Sequence, residues 1–412
     1  MTEPLAPPRP KNPLHRTPPA NVPPTARSRK AHIFTRAAAE GRFMLQRCGG
    51  CGTYLYPAHD VCSSCLSADL PVVEAPDGGV ILSFTSVRVP VDPYFRDRAP
   101  WKIALVGLDC GPKVIAHMHG DCQMGERVRL SFQLDRSGSA AAFALPLEKT
   151  AHMTDDRQWR EMTADPRYRR ILVTNGRGFA AREMVQSLFS AGAKSVYVGM
   201  PESWKPWKDE AAIRESGAKI VPLDASDEKS VRTLADDIGG KIDILINTQE
   251  HIRAGGLLDR SGTGTFRDEI AQSYLGFVNL AQSFAPAMRA RGSDGTNSAV
   301  AWINVLSVYG LANWPAYGGY SASQAALLSL SHCLRAELRP GGIKVMNLFT
   351  GPTDSEWFGQ LPPPKLPAAA VARALVKALM TGVEDVFVGD IAQDVRARLD
   401  ANPKAVEREL GD

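Results

Sequence analysis

Ile171-Leu-Val-Thr174, Ser195-Val-Tyr-Val-Gly199, Lys219-Ile-Val-Pro-Leu223 and Ile242-Asp-Ile-Leu-Ile-Asn247 are four short apolar runs, and helical stretches separate most of them. The rhythm continues through Ala299–Val305, Lys344–Phe349 and Asp385–Gly389. Strand–helix alternation of this kind builds a parallel, doubly wound α/β sheet. The pattern predicts such a Rossmann-type domain over residues 169–412.

Upstream the rhythm changes. Residues 151–168 are charged and lack an apolar period, which suits an interdomain linker. Between 80 and 147, turn residues separate Val80–Val89, Lys102–Leu108, Val114–His119, Arg127–Phe132 and Ala141–Leu147. Five short strands without intervening helices predict a small OB-type barrel over 75–150. Thr35–Gln46 suits a short helix delivering Phe43, Met44 and Leu45 to a core, at the start of a helix and zinc-ribbon unit over 31–74. Residues 1–30 carry nine prolines and almost no large apolar side chains, the composition of a disordered tail.

Cys48-Gly-Gly-Cys51 and Cys62-Ser-Ser-Cys65 form two CxxC knuckles ten residues apart. Zinc takes four thiolates in a tetrahedron, and each knuckle presents two. A filled set leaves no open coordination position, so the zinc is expected to be structural. Cys110, Cys122 and Cys333 stand alone and are expected in the core. The frame Phe43-Met-Leu-Gln-Arg-Cys48 through Cys65, with Gly79-Val-Ile-Leu-Ser-Phe-Thr85, resembles the zinc-ribbon/OB-fold family of acyl-CoA-associated proteins. That resemblance covers residues 31–147. It implies a thiolase-like partner enzyme and an acyl-CoA substrate, with the barrel as docking module. Arg88, Tyr94, Phe95, Arg96, Arg98, Trp101 and Lys102 share one loop with Asp92 and Asp97. The interleaved acids argue for a loop that caps a partner rather than a groove for nucleic acid.

The C-terminal domain resembles the short-chain dehydrogenase/reductase family across 169–400. The motifs are Ile171-Leu-Val-Thr-Asn-Gly-Arg-Gly178, Asp243-Ile-Leu-Ile-Asn247, Ile303-Asn-Val-Leu-Ser307, Tyr320-Ser-Ala-Ser-Gln324 and Val345-Met-Asn-Leu-Phe-Thr-Gly351. The resemblance implies a catalytic set at Ser307, Tyr320, position 324 and position 273. It implies cofactor contacts at Thr174, Gly176, Gly178, Asp224 and Asn247. Several departures stand out. The family's lysine is Gln324, so no cation lowers the Tyr320 phenol, whose shift from 10 to near 7 needs about 4 kcal/mol. Aligned on Gly276, the family's asparagine position holds Ser273, and another register would bring Asn279, one turn on, to that role. Read without a gap, the glycine loop has Asn175, Phe179 and Ala181 at its three glycine positions; read with a one-residue deletion, it recovers Gly176 and Gly178 and has Ala180 for the last. Glu250 stands where a glycine faces the cofactor. These changes predict weak or absent NAD(P) binding and a degenerate site. Nothing at Gly199–Met200 chooses between NAD and NADP.

A net charge of +4, partly carried by the first 36 residues, leaves a nearly neutral remainder and argues against nucleic-acid binding. No apolar run approaches the roughly 20 residues of a membrane span, and no signal peptide opens the chain. A cytoplasmic protein is expected, one in which cysteines bind metal rather than form disulfides. Two functional readings follow. One is an accessory subunit, or pseudoenzyme, of acyl-CoA metabolism. It docks a thiolase-type enzyme through its zinc/OB domain, and a catalytic dehydrogenase subunit or its own copy through the Rossmann domain. The other is an NAD(P)-dependent 3-hydroxyacyl-CoA dehydrogenase carrying its own OB module.

Overall fold

The computed structural model describes residues 2–7, 20–26, 28–202, 204–291 and 298–411. Residues 1, 8–19 and 27 of the proline-rich tail lie outside them. The chain divides into two compact units. One runs to Asp165 and takes in Leu379–Glu384; the other holds Pro166–Ala378 and the residues from Asp385 onward.

In the first unit a short helix, Thr35–Ala39, precedes a three-stranded sheet in the order β2-β1-β3. Its strands are β1 (Met44–Arg47), β2 (Tyr54–Leu55) and β3 (Val72–Glu74). The helix expected to reach Gln46 therefore stops at Ala39. Met44–Arg47 pairs antiparallel with both neighbours instead, burying Leu45 and exposing Arg47. A short apolar run reads equally as helix or strand, and here the pairing partners decide.

The barrel closes in the order β4-β5-β6-β8-β7. Its strands are β4 (Gly78–Val87), β5 (Trp101–Leu108), β6 (Lys113–Met118), β7 (Arg127–Leu134) and β8 (Ala140–Pro146). Alternate residues such as Ile81, Val106, Val114 and Leu130 fill its interior. Phe132 stacks between Phe34 and Phe43, with ring centroids 5.0 Å away on each side.

The expected linker is not extended. Arg157–Met162 is a helix whose Trp159 and Met162 pack with Trp101, Phe143 and Leu145. Its charges obscured the apolar pattern because several point inward. Glu161 takes Arg98 at 3.0 Å, Arg136 at 2.8 Å and the Tyr94 hydroxyl at 2.9 Å. The two guanidiniums hold the Glu161 carboxyl below its ordinary range against the burial that opposes them. This network fixes the β4–β5 loop. Tyr94 and Trp101 are buried there and offer no stacking platform, whereas Val89 and Val91 stand exposed.

The second unit is a parallel sheet of seven strands, β11-β10-β9-β12-β13-β14-β15. The strands are β9 (Arg170–Val173), β10 (Ser195–Met200), β11 (Lys219–Pro222), β12 (Ile244–Asn247), β13 (Ala301–Ser307), β14 (Lys344–Thr350) and β15 (Asp385–Val388). On one face the helices Gly276–Arg291 and Gly318–Leu338 bury Phe277, Leu280, Phe284, Leu327 and Leu334 with Trp302 and Val345 of the sheet. A polar row crosses the sheet where residues fall in register. Asn247 meets Asn304 at 3.4 Å, Asn304 meets Asn347 at 3.2 Å, and Asn347 meets Asp385 at 3.2 Å. Among the described residues no helix is long and apolar enough to cross a membrane.

Candidate functional site

The cysteines come together as their spacing requires. The Sγ atoms of Cys48, Cys51, Cys62 and Cys65 all lie within 4.8 Å of one another. Cys48 and Cys65 are 3.4 Å apart, and Cys51 and Cys62 are 3.6 Å apart. Four thiolates around zinc at about 2.3 Å would sit roughly 3.8 Å apart, so the set fits a tetrahedral ion. Each knuckle turns through a left-handed residue just past its second cysteine, Gly52 at φ +74° and Leu66 at φ +60°. The Gly52 N–H returns to the Cys48 carbonyl at 2.8 Å, and the Leu66 N–H to the Cys62 carbonyl at 3.0 Å.

The second cluster lies at the carboxyl ends of β12, β13 and β14. Ser307 ends β13, and Tyr320 and Gln324 sit one turn apart near the start of Gly318–Leu338. Gln324 is 1% exposed. Its Oε1 accepts the Ser307 N–H at 3.0 Å, and its Nε2 has no partner among the described residues. The side chain at the lysine position is thus a neutral spacer between helix and strand.

The Tyr320 hydroxyl donates to Glu250 Oε2 at 3.2 Å. Burial, then the Glu250 charge, hold the phenol well above its ordinary range, while Ser307 pulls the other way. Burial pushes the Glu250 carboxyl up to about 7, and its bond from Tyr320 opposes the rise. Near neutrality a proton sits between these two oxygens, with no lysine to compensate the carboxylate. Ser273 lies in a π-helical turn, Ile270–Leu275, fully buried and with its hydroxyl unpartnered among the described residues. Turns of this kind recur at functional sites.

Thr174, Gly176, Gly178 and Asn247 meet around one loop. The Asn175 N–H donates to Thr248 Oγ1 at 3.1 Å, Gly176 to the Gly199 carbonyl at 2.8 Å and Arg177 to Asn175 Oδ1 at 3.0 Å. Gln249 Nε2 ties down the Thr174 carbonyl at 3.0 Å. A Cβ on Gly176 would come within 2.6 Å of Val198, so the position requires glycine. The helix that follows, Ala181–Ser190, begins without a side-chain cap. Such an end presents backbone N–H groups to an anion. Asp224 is not part of this set. Its carboxylate accepts the N–H and hydroxyl of Ser226 at 2.9 and 2.7 Å.

A cavity of about 30 Å³ separates the loop from the Tyr320 cluster, with Gly178, Thr248, Glu250, Val305, Thr350 and Thr353 in its wall. That is room for a water or two, far below the hundreds of cubic ångströms of a ligand pocket. One element escaped the sequence reading. Glu269, fully buried, pairs with Arg260 through both oxygens at 2.9 and 3.1 Å. Its carboxylate abuts the helix carrying Tyr320 so closely that a Cβ on Gly319 would fall 1.9 Å from Oε2. The Gly318-Gly319 pair beside Tyr320 was the available signal of close approach.

Comparison with known proteins identifies each part. Residues 169–365 match the short chain dehydrogenase family. Residues 35–71 match the rubredoxin-like zinc ribbon domain of ChsH2, and residues 72–133 its C-terminal OB-fold domain. An uncharacterized oxidoreductase of Mycobacterium tuberculosis is 32% identical over 176 residues, 40% of this chain and 50% of that protein. A short chain dehydrogenase of Aspergillus terreus is 27% identical over 191 residues, 45% of this chain and 41% of that protein. The chain spans about half the length of these curated relatives, or less. Among solved structures, a short chain dehydrogenase from Burkholderia cenocepacia in complex with NADP is 27% identical. It superposes with a TM-score of 0.54, over 60% of this chain and 98% of its own. A short-chain dehydrogenase from Novosphingobium aromaticivorans, 19% identical with a TM-score of 0.51 over 57% of this chain and 86% of its own, shares the fold. One polypeptide thus joins the ChsH2 zinc-ribbon and OB-fold domains to a short chain dehydrogenase domain.

Proposed function

We propose that the chain is an accessory subunit of acyl-CoA metabolism whose dehydrogenase domain does not turn over on its own. The observation that carries this reading is Gln324, whose amide oxygen is committed to the Ser307 N–H. Proton exchange by Tyr320 at neutral pH needs a nearby positive charge to bring the phenol down. Here the strongest neighbouring charge is Glu250, which drives it up. The zinc/OB domain would dock a thiolase-type enzyme, and the exposed Val89 and Val91 on an otherwise anchored loop suit such a contact. The dehydrogenase domain would pair with a catalytic dehydrogenase subunit or with its own copy.

NADP in the Burkholderia cenocepacia structure supports a second reading, in which this cleft still takes a nicotinamide dinucleotide. The uncapped helix at Ala181 and the glycines at 176 and 178 fit the pyrophosphate. When bound, such a cofactor supplies hydride exchange, while Tyr320 and Glu250 hold the proton.

Reconstitution tests the accessory reading. The chain is mixed with a thiolase-type enzyme and an intact short-chain dehydrogenase, and β-ketoacyl-CoA cleavage is followed. A stable complex with raised partner activity is expected. Absence of any complex, with the partners fully active alone, would contradict it.

A further inference from the structure

Two stretches whose composition gives them no core to join meet each other on the barrel. One is the proline-rich tail. The other is the charged segment after β8, which forms a tight turn, Met153–Asp155, and then the helix Arg157–Met162. Acids at both ends of that segment serve the tail. At its start the buried Asp155 carboxylate accepts the Leu5 N–H at 3.3 Å. Asp121, in the turn between β6 and β7, accepts the Thr2 N–H. At the far end Glu161 holds Arg98 at 3.0 Å, and the Arg98 guanidinium lies 3.9 Å over the Tyr94 ring. Held from both sides, Arg98 Nη1 donates to the Ala20 and Tyr94 carbonyls, each at 3.0 Å. Three residues on, Pro23 is buried, while its neighbour Pro24 is exposed.

These groups recognise main chain. An extended, proline-rich chain makes no hydrogen bonds of its own, so its N–H and C=O groups are open to side-chain partners. Carboxylates take its N–H groups and a guanidinium takes its carbonyl, charge-assisted contacts that require no particular side chain. A preformed extended segment also has little freedom left to lose when it is seated. We propose that this side of the barrel is a docking site for an extended proline-rich segment. Its occupant is the chain's own tail, held at one station by Thr2 and Leu5 and at a second by Ala20 and Pro23. The site gives the buried Arg98–Glu161 pair a task beyond joining loop to helix, because it aims one guanidinium nitrogen at a docked carbonyl. Val89 and Val91 stay exposed with the tail in place, so the strap steadies the base of their loop without covering its tip. The inference is independent of the accessory reading, since it concerns the barrel alone.

Backbone nitrogen relaxation on the full, zinc-loaded chain tests the site at Ala6 and Val22, one amide for each station. Seated residues should give order parameters near ~0.85, against values below ~0.6 for a flexible chain. Pro23→Asp puts a charge into the buried seat and should bring Val22 below ~0.6. Pro24→Asp, the same charge on the exposed neighbour, should leave Val22 as it is in wild type. Leu5→Pro removes the N–H that Asp155 accepts and should loosen Ala6. All three substitutions lie in the tail, and zinc content and melting temperature confirm that each variant is folded. Wild-type values below ~0.6 at either station overturn the docking site. So does a Pro23→Asp or Leu5→Pro variant no looser than wild type at its own station, or a Pro24→Asp variant as loose as Pro23→Asp. Order at Val22 that rises with protein concentration would seat the tail on a second copy and overturn its assignment to the same chain.

Discussion

The zinc ribbon and the Tyr320 cluster have kept different things. In the ribbon both positions and chemistry survive: four cysteines in frame converge within 4.8 Å, and both knuckles turn alike. In the Tyr320 cluster the proposed reading is that positions survive and the chemistry does not. Ser307, Tyr320 and Gln324 lie together, with the Gln324 amide braced against the Ser307 N–H and the Glu250 carboxylate facing the phenol. A metal site tolerates no such drift, because losing one thiolate leaves three others around an ion that wants four. A helix-and-strand scaffold does tolerate it, since Gln324 packs and hydrogen-bonds where it is.

The contrast predicts unequal responses. The largest belongs to the ribbon. Structural zinc in small ribbons supplies on the order of 10 kcal/mol of folding free energy. Chelation, or Cys62→Ser at one of the two buried ligands, should release zinc and unfold the N-terminal unit, as read by elemental analysis and circular dichroism. Zinc-free protein with an unchanged melting curve would break the comparison at its firm end.

Next comes Gly319→Ala. The added methyl must displace Glu269 from its bidentate bridge to Arg260, which should cost about 1–3 kcal/mol in denaturant unfolding of the second unit. An unchanged midpoint would show that the helix carrying Tyr320 is free to shift.

A smaller effect concerns Glu250. Its folded-state value of about 7 lies above the ordinary 4.5. The folded chain therefore holds this proton more tightly than the unfolded chain does. That contribution is complete below about 4.5 and is lost as pH rises through 7. Glu250→Gln should accordingly raise the melting temperature at pH 8 by several degrees, and by much less at pH 5. Equal shifts at both values would argue against the buried acid.

The smallest response is expected from Gln324→Lys. Glu250 still faces the Tyr320 hydroxyl in that variant, so reduction of a β-ketoacyl-CoA should stay at background. A gain of ~10-fold or more, about 1.4 kcal/mol of barrier, would mean that the domain is an impaired enzyme and not a scaffold.

Where the sequence could be read, local spacing carried the information. Two CxxC pairs specify a site because each knuckle is built from adjacent residues. The strands of the barrel and of the parallel sheet announce themselves by short apolar runs between turns. Where it misled, the deciding contacts were distant. Met44–Arg47 is a strand because β2 and β3 flank it. The segment around Trp159 is packed because Glu161 meets Arg98 and Arg136 from the barrel. The asparagine row from Asn247 to Asn347 exists only once three strands are in register. The substitutions at Gln324 and Glu250 were visible along the chain. That one braces Ser307 and the other takes the Tyr320 proton bond was not, because each contact joins residues 17 and 70 positions apart.

The central claim is that the Tyr320 cluster cannot run hydride chemistry unaided, and it is most directly tested by the turnover of the isolated chain. Purified, zinc-loaded protein is given NADH or NADPH with a β-ketoacyl-CoA at pH 7.5, and nicotinamide absorbance is followed for wild type and Tyr320→Phe. The two should be indistinguishable from buffer. Wild-type turnover on the order of 1 s⁻¹ or faster, as in ordinary enzymes, and abolished by Tyr320→Phe, would contradict the account.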